Sequence, residues 1–156
     1  MTQMADLNEK TSKVRLQYAC LPYRVKAGNQ VEFMLVTSRE TKRWVIPKGW
    51  PMKGKKPHAG AAREALEEAG LVGQVGREPI GSYDYQKRLK GGAAVPCRVE
   101  VFPLAVKSQR KSWPEKGQRT LRWFSTEEAA EAVDEPELRD LIRQFGERLA
   151  ATREES

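Results

Sequence analysis

The chain predicts an α/β fold, a mixed β-sheet covered by helices, and three observations point to it. Apolar and polar residues alternate in strand fashion between residues 14 and 38 and again between residues 80 and 124. One helical stretch separates these two groups of strands. Helical patterns close the chain, an order that suits a sheet with helices packed on it. A length of 156 residues is enough for one domain with a sizeable core.

The polar opening, residues 1–13, reads as a disordered arm and lacks the apolar run of a secretory signal. VRLQYACLPYRV (Val14 to Val25) and VEFMLVTS (Val31 to Ser38) then form a hairpin around the turn Lys26-Ala-Gly-Asn29. RWVIP (Arg43 to Pro47) is a third extended run. The next ten residues, KGWPMKGKKP, mix proline, glycine and lysine in a way that only a loop tolerates. Pro57 suits the first turn of a helix that continues to Ala69, and Gly70 suits its end. Further strands are expected at Ile80 to Arg88, Ala94 to Val106 and Arg119 to Phe124. Between the last two lies a long polar loop, Lys107 to Gln118, that carries Trp113, Pro114 and Glu115. Ser125 with Glu128 forms a capping box, and Leu138, Leu141, Ile142, Phe145 and Leu149 recur at helical spacing between Glu135 and Ala150. The domain is thus expected over residues 14–150, with 151–156 as a disordered tail.

Charge narrows the range of partners. Lys and Arg number 28 against 21 Asp and Glu, a balance of +7 that favours anions: phosphates, nucleic acid or acidic lipid. No apolar run approaches the roughly 18 residues of a membrane span, so no membrane partner is expected. Cys20 and Cys97 lie far apart in strand-like stretches and read as reduced, buried thiols of a cytoplasmic protein. His58 is the sole histidine, which argues against a histidine-based triad or zinc site.

The helix REALEEAG, Arg63 to Gly70, breaks two rules of helix design. Glu64, Glu67 and Glu68 crowd one side, with Ala62, Ala65, Leu66 and Ala69 expected opposite them against the core. Positions four residues after each glutamate hold Glu68, Leu71 and Val72, so no lysine or arginine neutralises them there. Only Arg63 can pair within the helix, with Glu67, in the less favourable orientation. Two of the three glutamates also sit at the carbonyl end, where the macrodipole disfavours anions. Converging carboxylates without basic partners are what a hard divalent cation requires, and Mg²⁺ in particular binds them while keeping waters for a substrate phosphate. Lys48, Lys53, Lys55 and Lys56 in the preceding loop add positive charge beside that site, a plausible clamp for a diphosphate.

GWPMKGKKPHAGAAREALEEAGL, Gly49 to Leu71, resembles the Nudix box, G-x5-E-x7-R-E-U-x-E-E-x-G-U with U aliphatic. Gly49, Arg63, Glu64, Glu67, Glu68, Gly70 and Leu71 stand where the pattern asks, and Ala65 is smaller than usual at its position. RWVIPKG before the box and RTLRWFSTEEA after it also look like this family, especially its branch acting on diphosphoinositol polyphosphates and dinucleoside polyphosphates. The resemblance implies a Nudix fold, an α/β/α sandwich with a mixed sheet, and Mg²⁺-dependent hydrolysis of a phosphoanhydride, with Mn²⁺ as a substitute ion. It implies that Glu67 and Glu68 bind metal, that Glu64 is a ligand or the base, that Arg63 orients the glutamates, and that the Gly49 carbonyl is an extra ligand. Many members use one more acid from a loop across the site: Glu115 is the first candidate and Glu100 the second. One residue departs from the pattern. The first glutamate of the box falls on Lys55, which makes Lys48, Lys53 and Lys55 candidates for holding substrate phosphate.

Two other readings stand beside a pyrophosphohydrolase acting on a small diphosphate or polyphosphate. Lys55 motivates a catalytically weak Nudix domain that senses a nucleotide or phosphoinositol. Trp113, Arg119, Arg122 and Trp123 interleave aromatic and basic residues and motivate, more weakly, nucleic-acid binding.

Overall fold

The computed structural model describes residues 13–155. Two long strands form its centre: β1 (Arg15–Lys26) and β7 (Ala94–Gln109) run parallel from Arg15 beside Cys97 to Tyr23 beside Ala105. Each gives its outer edge to two partners in turn. β1 pairs through Tyr18 and Ala19 with the short β4 (Lys48–Gly49), then through Tyr23 to Lys26 with β2 (Gln30–Thr37). β7 pairs first with β6 (Gly81–Arg88) and further on with β5 (Leu71–Val75). β8 (Leu121–Ser125) runs along the other edge of β2, while β3 (Trp44–Val45) pairs with Val36 and Thr37 on the same edge as β1, beyond the stretch that β1 covers. All pairings but the central one are antiparallel, so the sheet is mixed, as expected.

Helices cover both faces. Helix α1 (Pro57–Ala69) lies on one, over Cys20, Met34, Val36, Phe102 and Leu104. α2 (Thr126–Ala132) and α3 (Pro136–Glu155) lie on the other, over Leu21, Phe33, Leu35, Val99, Val101 and Phe124. The result is the α/β/α sandwich. Local signals set the helix ends where the sequence places them: Pro57 opens α1, Gly70 closes it at φ +70°, and Ser125 with Glu128 makes both bonds of the capping box. The hairpin turn takes Gly28 and Asn29 into the left-handed region, which suits the twist of the strands it joins. Among the described residues no helix is long and apolar enough to cross a membrane. Cys20 and Cys97 are free and buried.

Three features differ from the sequence reading. β5 was not expected, because its five residues follow the helix directly and need β7 beside them to become a strand. Lys48 and Gly49 belong to a strand and not to the loop. α3 runs to Glu155 rather than ending at Ala150, so of the expected tail only Ser156 falls outside the described residues, as do residues 1–12 of the expected arm.

Candidate active site

Helix α1 meets the sheet through Ala61, Ala65 and Ala69, all fully buried. Methyl side chains let the backbone come close, and this sets the site. The amphipathic expectation is corrected here: Ala62 and Leu66 are only half-buried, while Glu68 turns inward and is 4% exposed. Ala61, Ala65 and Glu68 share one stripe at i, i+4 and i+7, so the signal was present in the spacing.

Glu68 is met by partners from three elements. The Lys48 amide in β4 donates to its Oε2 at 3.3 Å. The Arg119 guanidinium stands 3.8 Å from its Oε1. The Glu64 carboxyl, one turn earlier on α1, acts on Glu68 electrostatically. Burial pushes both groups upward from the usual carboxylate range, and for Glu64 the neighbouring Glu67 adds to it. The half-buried Lys48 ammonium is driven the opposite way by burial, while Glu68 and Glu135 pull it back. Gly49, the next residue, has no room for a side chain: a β-carbon there would lie 1.9 Å from Glu64 Oε2.

Glu67 behaves differently from its neighbours. Its Oε2 accepts from Arg63 Nε at 2.7 Å, the single intrahelical pairing foreseen in the sequence. Lys55 explains why Arg63 is free to do so, since a lysine there offers the guanidinium no carboxylate.

Glu115 comes to the site from the loop after β7. Its backbone N–H donates to the Glu67 carbonyl at 3.0 Å, and its Oε1 accepts from Arg119 Nε at 3.0 Å. Two more carbonyls at the end of α1 are satisfied beside it: Gln109 Nε2, from the last residue of β7, donates to Ala69, and the Arg110 N–H to Gly70. Trp113 packs over Gly70, where a β-carbon would strike its ring at 2.3 Å. Glu100 sits in the middle of β7 between Tyr18 and Ser82, half-buried and without an ion-pair partner among the described residues.

Arg119 was not singled out for the site by the sequence. It binds Glu115, approaches Glu68 and donates to the Thr37 carbonyl at 3.0 Å, joining the loop, α1 and β2. The aromatic and basic residues that suggested nucleic acid are engaged separately. Arg119 belongs to this network, Trp123 is stacked by Arg24, Arg122 lies over Phe124, and Trp113 covers Gly70.

A cleft of about 630 Å³ opens beside Glu68 and Lys48. Arg39, Lys87 and Arg88 line it, and none of them forms an ion pair among the described residues. Lys48 of the three phosphate candidates lines the cleft. Lys53 and Lys55 lie exposed on the loop outside it.

A divalent cation fits this donor set. Two partly desolvated carboxyl groups, Glu64 and Glu68, are held together with their affinity for positive charge raised, and Glu115 acts electrostatically on both. Among the described residues no three ligating side chains already stand in a coordination arrangement, and Glu67 is engaged by Arg63.

Comparison with known proteins agrees with the architecture. A family model described as the NUDIX domain matches residues 18–145. Nudix hydrolase 21, chloroplastic, of Arabidopsis thaliana is 30% identical over 91% of this chain and 71% of its own. Diphosphoinositol polyphosphate phosphohydrolase 3-alpha of Mus musculus is 30% identical over 74% of this chain and 66% of its own. The crystal structure of a C. elegans Ap4A hydrolase binary complex superposes with a TM-score of 0.65 at 24% identity, covering 88% of this chain and 99% of that one, a likeness of fold.

Proposed function

With the chain a member of the Nudix hydrolase family, we propose that it is a Mg²⁺-dependent pyrophosphohydrolase. Its substrate is a phosphate-rich small molecule with a diphosphate linkage, of the dinucleoside polyphosphate or diphosphoinositol polyphosphate type. The observation that carries this is the buried Glu68, with half-buried Glu64 one turn before it on α1, lining a cleft whose cations Arg39, Lys87 and Arg88 form no ion pair among the described residues.

Glu64 and Glu68 would hold the metal, joined by Glu67, Glu115 and the Gly49 carbonyl. A divalent cation there supplies positive charge against phosphate oxygens as negative charge builds on them. Left off the metal, Glu64 would instead be the base that accepts the proton of the attacking water as the bridging P–O bond breaks. Arg63 orients Glu67, and Arg119 fixes Glu115 against Glu68. Lys48, with Arg39, Lys87 and Arg88, holds the phosphate chain in the cleft. Lys53 and Lys55 add charge at its approach.

Turnover of dinucleoside polyphosphates and diphosphoinositol polyphosphates, measured with Mg²⁺, with Mn²⁺ and with chelator, tests the reading. Metal-dependent release of phosphate or nucleotide is expected. Failure with both substrate types and both metals would overturn it and favour the sensor reading.

A further inference from the structure

The floor of the cleft carries a buried polar side chain to which the hydrolytic site gives no role. Alternation along β1 turns Gln17, Ala19 and Leu21 to the face that α2 and α3 cover. Ala19 and Leu21 belong to the core, and Gln17, 2% exposed, is where that row reaches the cleft. Tyr85 of β6, across β7 from β1, donates its hydroxyl to Gln17 Oε1 at 2.6 Å. Burial pushes that hydroxyl upward from its ordinary range, so it donates and does not ionise. With Oε1 engaged, the Gln17 Nε2 donors have no acceptor among the described residues, and the atom is not sealed off from the cleft. The ring of the same tyrosine has a second partner. Lys48 Nζ, from β4, stands 5.2 Å from its centroid and forms no ion pair among the described residues. A π face attracts an ammonium without neutralising it, so the charge stays available to a ligand.

Resting on the hydrolase reading, we propose that Tyr85 is a positioning residue for two binding groups: its ring steers Lys48 and its hydroxyl turns the Gln17 amide, so that both donate to the phosphate chain. The two groups present donors alone, because the one acceptor of Gln17 is already used by Tyr85. An anionic group with several oxygens suits such a floor, and a second hydrogen-bond donor gains nothing from it. Lys48 contributes a charge on a flexible stem, whereas Gln17 contributes a neutral donor held in one direction by its burial and by Tyr85. Tyr85 thus acts on the ligand through its two neighbours, and a single side chain sets the place of both.

Calorimetric binding of methylenediphosphonate, a non-hydrolysable diphosphate, to the full chain with Mg²⁺ tests the assignment. Tyr85→Phe keeps the ring and removes the hydroxyl, and it should weaken binding about fivefold, the effect of losing one neutral hydrogen bond. In a Gln17→Met background the same change should have no further effect, because the hydroxyl acts only through the amide. Tyr85→Leu removes the ring as well and should weaken binding roughly fivefold more, a difference that vanishes in a Lys48→Met background. On a hydrolysable substrate Tyr85→Phe should raise KM more than it lowers kcat. Three results overturn the assignment: no binding of the diphosphonate by wild type, wild-type affinity in Tyr85→Phe, or effects that simply add in both backgrounds, as a merely structural tyrosine would give. Tyr85→Phe keeps the ring contacts, so its comparison with wild type decides the matter even where another variant fails to fold. Coupled weakening without turnover of any substrate refutes the hydrolase and leaves the positioning role. Turnover with no effect of Tyr85→Phe refutes the positioning role alone.

Discussion

The carboxylate of Glu64 rests against the α-carbon of Gly49, so that a β-carbon on residue 49 would stand 1.9 Å from Oε2. The contact makes glycine a requirement of the glutamate's position and not of the backbone, since Gly49 does not take the left-handed region. Gly49→Ala should therefore displace Glu64 at a stability cost of about 1–3 kcal/mol. Turnover should fall well beyond what lost folding explains, and thermal melting measured beside kinetics separates the two. Full activity in a folded Gly49→Ala protein would mean that Glu64 is free to move without consequence.

Glu68→Gln is expected to reduce turnover by roughly 100-fold or more if the side chain holds a cation in the transition state. Stability of the metal-free protein should hold or rise, because the like-charge repulsion from Glu64 and Glu115 is relieved. Retained activity at saturating Mg²⁺ would remove Glu68 from the proposed metal site.

The raised affinities of Glu64 and Glu68 for protons predict a pH dependence. Each group binds its proton more tightly folded than unfolded, so over the interval just above the ordinary glutamate value the folded state carries more protons. Stability must then fall as pH rises through that interval, and it is fully present below it. Melting of metal-free protein should drop between about pH 5 and 7, where the Lys48 ammonium is still charged in both states. Mg²⁺ should restore more stability at the upper end than at the lower. A flat profile with no metal effect would show that the pair does not bear this charge.

Glu115→Gln should lower kcat more than it alters KM, since a group acting on the reacting centre is felt mainly in the transition state. Glu100→Gln, which breaks no ion pair among the described residues, should be close to silent. Kinetics that rank the two variants the other way would move the fourth acid from the loop to β7.

Lys55→Glu restores the family pattern and offers Arg63 a second carboxylate to pair with. If Lys55 attracts substrate from the outer side of the loop, the change should raise KM most for the most highly phosphorylated substrate, and added salt should shrink the difference. A uniform gain in turnover on all substrates would mean instead that the lysine impairs the box by leaving Arg63 to hold Glu67.

Much of this architecture is legible because its signals are local. Pro57 and Gly70 bracket α1, Ser125 and Glu128 cap α2, and alternation marks β1, β2, β6 and β7. β5 escapes because Gly73 interrupts its pattern, and that glycine exists only to let Ala105 of β7 approach, a contact no local window contains. The site divides in the same way. Spacing within one helix brings Glu64, Glu67 and Glu68 together, but which of them is buried depends on how closely the alanine stripe lets the helix settle. Arg119 and Tyr85 reach the cleft from distant parts of the chain, so their roles appear only once the sheet is assembled.

Bonds from Glu115 and Arg110, in the loop after β7, to the carbonyls of Glu67 and Gly70 dock that loop on the end of α1. Lifting the loop away breaks no bond within the helix, but it strips donors from carbonyls that the helix itself leaves unpaired, on the turn that carries Glu67 and Glu68. The loop is thus also the cap of that turn. Exchange of the Glu115 amide hydrogen with water should report release of the loop from the helix end.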